Sequence, residues 1–293
     1  MAMSRSAALT PEEIFGALGD YDEVDAPIID GHNHVILPAE QHVAHLDEAG
    51  VSRAVLLVAR PHPERANNLS GFKQEMAALN QTVSGAQNAG DSIRPAMAQL
   101  HESISLYPDR FVGFGQVPLN APATDLRAWV QTEIIERGLR GIGEISVPPG
   151  RAALLEPVLR AASDYNGRLP VLVHAFAPQT IDDIRTFATL AAAYRSVPLI
   201  LGQLGGLNWL DAIEIVKGAT STLYLDLATP IVSFAPYLAV REIPRRVLFA
   251  SNAPYSEPVV ARFVVERAIA KANAGAELRA RIMGGTLLSI LGS

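Results

Sequence analysis

The chain has 293 residues, 49% hydrophobic and 18% charged, which supplies a large apolar core and is too apolar for a disordered segment. Its net charge is −6 with a pI near 5.7, and Arg245-Arg246 is an isolated basic pair rather than part of a stripe, so a nucleic-acid partner is excluded. The absence of cysteine excludes disulfides, thiolate-bound zinc and cysteine nucleophiles, leaving histidine, carboxylate or amide oxygen to hold any metal.

Residues 1–25 read as an N-terminal extension with room for a helix at 11–18, and residues 26–293 as one folded domain. The first 13 residues have no apolar core of signal-peptide length, and no later run approaches the ~20 apolar residues that span a bilayer. A cytoplasmic protein with no membrane partner is expected.

From residue 26 onward, short apolar runs alternate with longer amphipathic stretches. The runs are 26–34, 54–59, 111–117, 141–147, 170–175, 198–204, 222–228 and 246–252, rich in Val, Ile and Leu and mostly bounded by Gly, Pro or charge. That is the pattern of strands buried on both faces of a parallel sheet. Helices are predicted at 39–49, 124–137, 152–166, 180–194, 209–218, 234–242, 258–272 and 276–291, with 67–107 holding a lid-like excursion and one long helix. This alternation predicts an α/β fold, a single-domain (β/α)8 barrel of the TIM type. A doubly wound open sheet also alternates, but usually follows its first strand with a glycine-rich phosphate loop; here the first strand ends in His32-Asn33-His34.

Barrel chemistry is placed at the C-terminal ends of the strands. Those ends carry His32 and His34, then Arg60 and His62, Gln116, Glu144, His174, Gln203, Asp226, and finally Ser251 and Asn252. On a strand, residues i and i+2 share a face, so His32 and His34 can aim at one point as two ligands of a metal would. Glu144 needs a cation or several donors if buried, or else a salt bridge to Arg60 or Arg140. His174 reads equally as a ligand or as a satisfied core histidine. Asp226 either orients a neighbouring ligand or caps a loop. His42, His45 and His101 read as surface or packing residues, and Gly205-Gly206 lacks the Gly-Lys-Ser/Thr of a phosphate loop.

Several blocks resemble, in order, the amidohydrolase superfamily, in particular its branch of small amidohydrolase-related (amidohydrolase-2) barrels. They are Ile29-Asp30-Gly31-His32-Asn33-His34, Leu46-Asp47-Glu48-Ala49-Gly50-Val51, Gly138-Leu139-Arg140-Gly141-Ile142-Gly143-Glu144 and Leu169-Pro170-Val171-Leu172-Val173-His174. Ile200-Leu201-Gly202-Gln203-Leu204-Gly205-Gly206, Leu223-Tyr224-Leu225-Asp226 and Val247-Leu248-Phe249-Ala250-Ser251-Asn252-Ala253-Pro254 continue the likeness toward the C-terminus. The branch includes metal-dependent hydrolases, lactonases and non-oxidative decarboxylases. The resemblance implies that His32, His34 and His174 bind a divalent metal, usually zinc, and that Glu144 matches the strand-four carboxylate.

Two positions depart from the family pattern. Gln203 stands where a strand-six histidine is usual, and Asn252 where a strand-eight aspartate usually takes a proton from water. Neither amide can act as a general base near neutral pH. The leading expectation is a hydrolase of a small amide, lactone or ester that uses a zinc-activated water, with Glu144 completing the metal sphere or taking the proton. Gln203 and Asn252 then position substrate, Asp226 orients a ligand, and Arg60 pairs with a substrate carboxylate. The alternatives are a decarboxylase of the same superfamily and a diverged metal-free binding protein. The expected partner is a small-molecule substrate; dimers are common in the resembled family, which leaves a homodimer open, and the sequence itself specifies no oligomeric state.

Overall fold

Runs that are apolar on both faces must be covered on both sides, as they are between a barrel interior and a surrounding helical layer. In the computed structural model, which describes residues 26–58, 61, 66–84, 90–219 and 222–292, all eight runs become strands. They are β1 (Ile29–His34), β2 (Arg53–Leu57), β3 (Phe111–Gly115), β4 (Gly141–Ile145), β5 (Val171–Val173), β6 (Leu199–Leu201), β7 (Leu223–Asp226) and β8 (Val247–Leu248). Each pairs in parallel with the next in sequence. The segment after β8 returns to β1 through Gly31 N–H to Phe249 O (2.9 Å), Asn252 N–H to His32 O (2.8 Å) and His34 N–H to Ala253 O (2.7 Å), which closes the (β/α)8 barrel.

The helices are α1 (Ala39–Glu48), α2 (Leu69–Val83), α3 (Gly90–Leu106), α4 (Ala123–Trp129), α5 (Glu156–Ser163), α6 (Ile181–Ala193), α7 (Trp209–Gly218), α8 (Phe234–Glu242), α9 (Pro258–Lys271), α10 (Ala276–Ala280) and α11 (Thr286–Leu291). The stretch 67–107 divides into α2 and α3. The last turns after α4 and α10 widen to π geometry at Val130–Ile135 and Arg281–Gly285, so two predicted helices are continuous but not uniform. None of the helices among the described residues is long and apolar enough to cross a membrane. The N-terminal extension, Arg60 and His62 lie outside the described residues.

Strand alternation divides the apolar residues into two cores. Val171 and Val173, Leu199 and Leu201, Ala54 and Leu56 face the helices, whereas Leu172, Ile200, Val55 and Leu57 fill the barrel. The floor of the barrel is closed by Leu287, Ile290 and Leu291 of α11, which pack against Ile29, Phe114 and Leu248. At the mouth, a capping box between Thr180 and Asp183 starts α6, and Asp183 also accepts from Gly150 and Ala152 N–H. The loops after β4 and β5 are thereby tied together.

Two strands break the alternation. Between Asp30 and Asn33, β1 advances three residues while β2 advances two, and between Ile142 and Ile145, β4 does the same against β5. Each is a β-bulge, one extra residue that resets which face the chain presents.

Leu287 is almost fully buried in the barrel floor. Leu287→Ala is expected to lower the unfolding free energy by about 2–5 kcal/mol, read as a lower urea midpoint with unchanged slope.

Candidate metal centre

The bulges determine what the mouth of the barrel presents. Asp30 pairs with Ala54 on the outer face, and Asn33 pairs with outward Leu56. The two residues between them therefore share the inner side, and His32 turns inward together with His34, which pairs with inward Leu57. Likewise Ile142 and Ile145 both face the helices, so Glu144 is turned into the barrel. Gly143 makes this possible: its φ is 156°, and a Cβ there would lie 2.9 Å from Leu172 O. Asp30 Oδ1 accepts from His32 N–H (3.2 Å) and Ser251 N–H (2.8 Å), which holds the β1 bulge against the strand that closes the barrel. Burial pushes the Asp30 carboxyl up to about 6, against these hydrogen bonds.

The result is a buried group of His32, His34 and Glu144 whose potential ligand atoms all lie within 4.8 Å of one another. His34 Nδ1 is 2.9 Å from Val58 O, which can only accept, so Nδ1 carries the proton and Nε2 has the lone pair. His32 Nδ1 is 2.8 Å from Asp226 Oδ2, which assigns the same tautomer. The two Nε2 atoms stand 3.8 Å and 3.6 Å from the two oxygens of Glu144. His32 Nε2 is buried with no hydrogen-bond partner, a lone pair that a cation would satisfy. Two neutral imidazoles and a carboxylate are a donor set suited to a divalent ion with open coordination positions. These residues fit a metal.

Asp226 is buried behind the group. Its other oxygen accepts from the N–H of Gln203 (2.7 Å) and Ala228 (3.1 Å), so the carboxylate orients His32 and ties β6 to β7 at the mouth. Burial opposes the charged form of His32, but the hydrogen bond and charge of Asp226, with the charges of Glu144 and Asp30, outweigh it and raise the pKa above the ordinary 6.5.

His174 and Gln203 gather on Glu144 instead of on the histidine pair. His174 Nδ1 lies 2.9 Å from Glu144 Oε1, and its Nε2 lies 3.3 Å from Ala177 O. Gln203 donates to the same Oε1 through Nε2 and accepts from Ala175 N–H (3.3 Å), which fixes the direction of its amide. Gly202 supplies room against the neighbouring strand, since a Cβ there would lie 3.1 Å from Val173 O, while Glu144 Oε1 and His32 Cε1 would be in ordinary contact at 3.5 Å. Asn252 donates to Thr229 Oγ1 (3.0 Å), leaving its own Oδ1 buried without a partner. Gln203, Thr229 and Asn252 all have positive φ, of 50°, 46° and 64°, an unfavourable conformation for non-glycine residues and most so for β-branched Thr229.

Glu144, His34, His174, Gln203 and Asn252 open onto a cavity of about 570 Å³ whose remaining walls are largely apolar. Phe72, Met76, Leu79 and Val83 of α2 roof it, and Phe176 and Tyr255 flank it. These wall residues were not singled out among the strand-end candidates. Their signal is nonetheless in the chain: 72, 76, 79 and 83 recur at helical spacing, a stripe that does not say which surface it covers.

His42 is fully buried, with Nε2 3.3 Å from Asn33 Oδ1 and its ring against Phe111, so of its two readings the packing one holds. Other expectations need correction. Gln116 does not line the cavity; its carbonyl accepts from Trp129 Nε1. Ser251 is buried behind β1, within 3.5 Å of Asn33 Oδ1. Arg140 reaches Leu291 O at the barrel floor, not Glu144. The second glycine of Gly205-Gly206 serves close packing, since a Cβ on Gly206 would lie 2.4 Å from Phe176 Cα.

A parallel eightfold barrel with a histidine pair at the end of its first strand and a carboxylate at the end of its fourth is a barrel able to hold a divalent ion at its mouth. The amidohydrolase family model matches residues 29–287, and the chain belongs to that family. No curated protein matches it. Among solved structures, it is similar to a 5-carboxyvanillate decarboxylase from Sphingomonas paucimobilis, with 15% identity, TM-score 0.59, 92% of this chain and 99% of that chain covered. A dihydroxybenzoic acid decarboxylase from Polaromonas with bound manganese gives 16% identity and TM-score 0.61 over 91% of this chain and 97% of that chain. An uncharacterised TIM-barrel protein from Bordetella bronchiseptica gives 14% and 0.63 over 91% and 100%. At these identities the likeness is one of fold.

Asp226→Asn is expected to weaken divalent-metal binding about 10–100-fold with the fold retained, measured by metal titration and circular dichroism. A raised His32 pKa means that protons compete with metal from above the ordinary imidazole range, so affinity should fall as pH drops from 8 through about 6.5. Constant affinity over that interval would remove His32 from the site.

Proposed function

We propose that the protein is a metal-dependent hydrolase of a small, largely apolar amide, lactone or ester, with zinc as the preferred ion. The observation that carries this reading is the convergence of His32 Nε2, His34 Nε2 and the Glu144 carboxylate at the edge of a cavity of substrate size. A divalent ion bound there would polarise a carbonyl and lower the pKa of a water. His32 and His34 hold their lone pairs toward it because Asp226 and Val58 O occupy their Nδ1 protons. Glu144 shares an oxygen with His174 Nδ1 at 2.9 Å, so a proton taken from water by the carboxylate can pass to the imidazole and on to a leaving group. Asn252 lines the cavity and keeps an acceptor, Oδ1, that no other group among the described residues uses, and the apolar face of α2 excludes bulk water. Arg60 remains our choice for a substrate carboxylate, and the setting we infer is a cytoplasmic enzyme, with dimerisation an open part of the proposal.

A second reading, decarboxylation, draws support from a specific feature. The charge of Glu144 would repel a substrate carboxylate if exposed, but Gln203 and three histidines surround it. The decarboxylases of similar fold act on aromatic acids by their names, one of them with manganese bound. A cavity with largely apolar walls suits such rings as well.

The two readings separate in one assay set on protein purified without chelator. Hydrolysis of a nitrophenyl ester, a lactone or an anilide, abolished by chelator and restored by zinc, is the expected result. CO2 release from hydroxybenzoates without hydrolysis would transfer the assignment to the lyase. Glu144→Gln should reduce metal content and turnover together, by more than about 100-fold in activity; full activity in that variant, or below about a tenth of an equivalent of divalent metal in active wild-type protein, would refute both.

A further inference from the structure

A second cavity, of about 340 Å³, opens at the other end of the barrel, under the first residues of β2, β3 and β4. Its lining carries three cations and two neutral polar groups. Arg53 begins β2 and Arg137 and Arg140 lie on the approach to β4, while α3 adds Ser105 and His101, whose ring burial and Arg137 hold below the ordinary imidazole range; no aspartate or glutamate lines it. In a chain with 30 acidic and 24 basic residues, this is a local reversal of the net charge. Two of the three arginines have partial employment elsewhere. Arg137 Nε pairs with Glu133 at 2.9 Å, and Arg140 Nη2 donates to Leu291 O at the end of α11 at 2.9 Å. Arg53 has no ion pair among the described residues, and His101 Nε2 is buried without a hydrogen-bond partner. The rest of the wall is apolar, from Ile29, Ile104, Leu288 and Leu291.

Arginines gathered around one concave surface repel one another, and the Glu133 partner of Arg137 offsets only part of that charge; an anion in the cavity would offset the rest. A phosphate matches this cationic set better than a carboxylate does, because it carries close to two negative charges and three acceptor oxygens for forked donors. We propose that this basal cavity is a binding site for a small phosphate-bearing molecule, separate from the metal group. It holds no nucleophile poised against a base, and it lies on the face where barrels carry stability and not chemistry. Its occupant would bridge β2, the β4 approach and α11, so binding should be felt as stability.

The test is calorimetric titration of the full chain with inorganic pyrophosphate and inorganic phosphate at fixed ionic strength, with melting followed in parallel. Wild-type protein should bind pyrophosphate saturably at one site and melt at a higher temperature with it. Arg53→Gln, which removes an exposed side chain with no ion pair among the described residues, should fold normally, weaken binding at least about tenfold and abolish the shift. His32→Ala should bind as wild type does. Absence of saturable binding, equal affinity in Arg53→Gln, or loss of binding in His32→Ala would overturn the proposal, the last by moving the anion to the metal group.

Discussion

One extra residue in each of two strands governs the functional end of this barrel. In an unbroken β1, Ile29 facing in would put His32 and His34 with Asp30 on the outer side. In an unbroken β4, outward Ile142 would carry Glu144 outward too. Each bulge reverses that parity within one strand, so the lower half keeps its packing while the upper half delivers polar groups to the mouth. The cost is borne locally, by Gly143 where a Cβ has no space and by Asp30, whose oxygen accepts the His32 and Ser251 N–H groups.

The second constraint is electrostatic. Glu144 is almost fully buried, and an isolated carboxylate there would be costly. It is met by nitrogen atoms from β1 and from the ends of β5 and β6: the two β1 histidines at 3.6–3.8 Å, His174 at 2.9 Å, and the Gln203 amide. Gln203 keeps a permanent donor against the carboxylate without adding charge, and Asn252 replaces charge with an amide that Thr229 turns. Relative to the usual pattern of its family, the site has moved its negative charge toward β4. Of the titratable groups that line the cavity, Glu144 and His174 are in hydrogen-bond contact.

Much of this was legible in the chain. Eight Val/Ile/Leu runs separated by helical stretches imply a parallel barrel because parallel strands must be buried on both sides. Polar residues closing those runs mark the functional end, and His32, His34, Glu144, His174, Gln203 and Asn252 do meet there, with five of the six lining one cavity. Asp226 does both of the things it offered as alternatives, orienting His32 with one oxygen and capping the loop at Ala228 with the other. The bulges were not legible, because an extra residue leaves the composition of a strand unchanged and appears only when its partner's register is known. The fate of α2 was hidden for a related reason: an apolar stripe at 72, 76, 79 and 83 specifies a face to be covered but not the surface that covers it.

By itself, then, the sequence determined the barrel, the end at which its chemistry sits and the identity of the donor atoms, since these follow from local periodicity and residue type. Only the tertiary structure decided which donors share a point. That depends on register between strands, on the Asp226 and Val58 oxygens that select each histidine's tautomer, and on the space left by Gly143 and Gly202. It assigned His174 to Glu144 and Arg140 to the barrel floor. Such choices are long-range: residues 32 and 226, or 140 and 291, become neighbours only when the barrel closes.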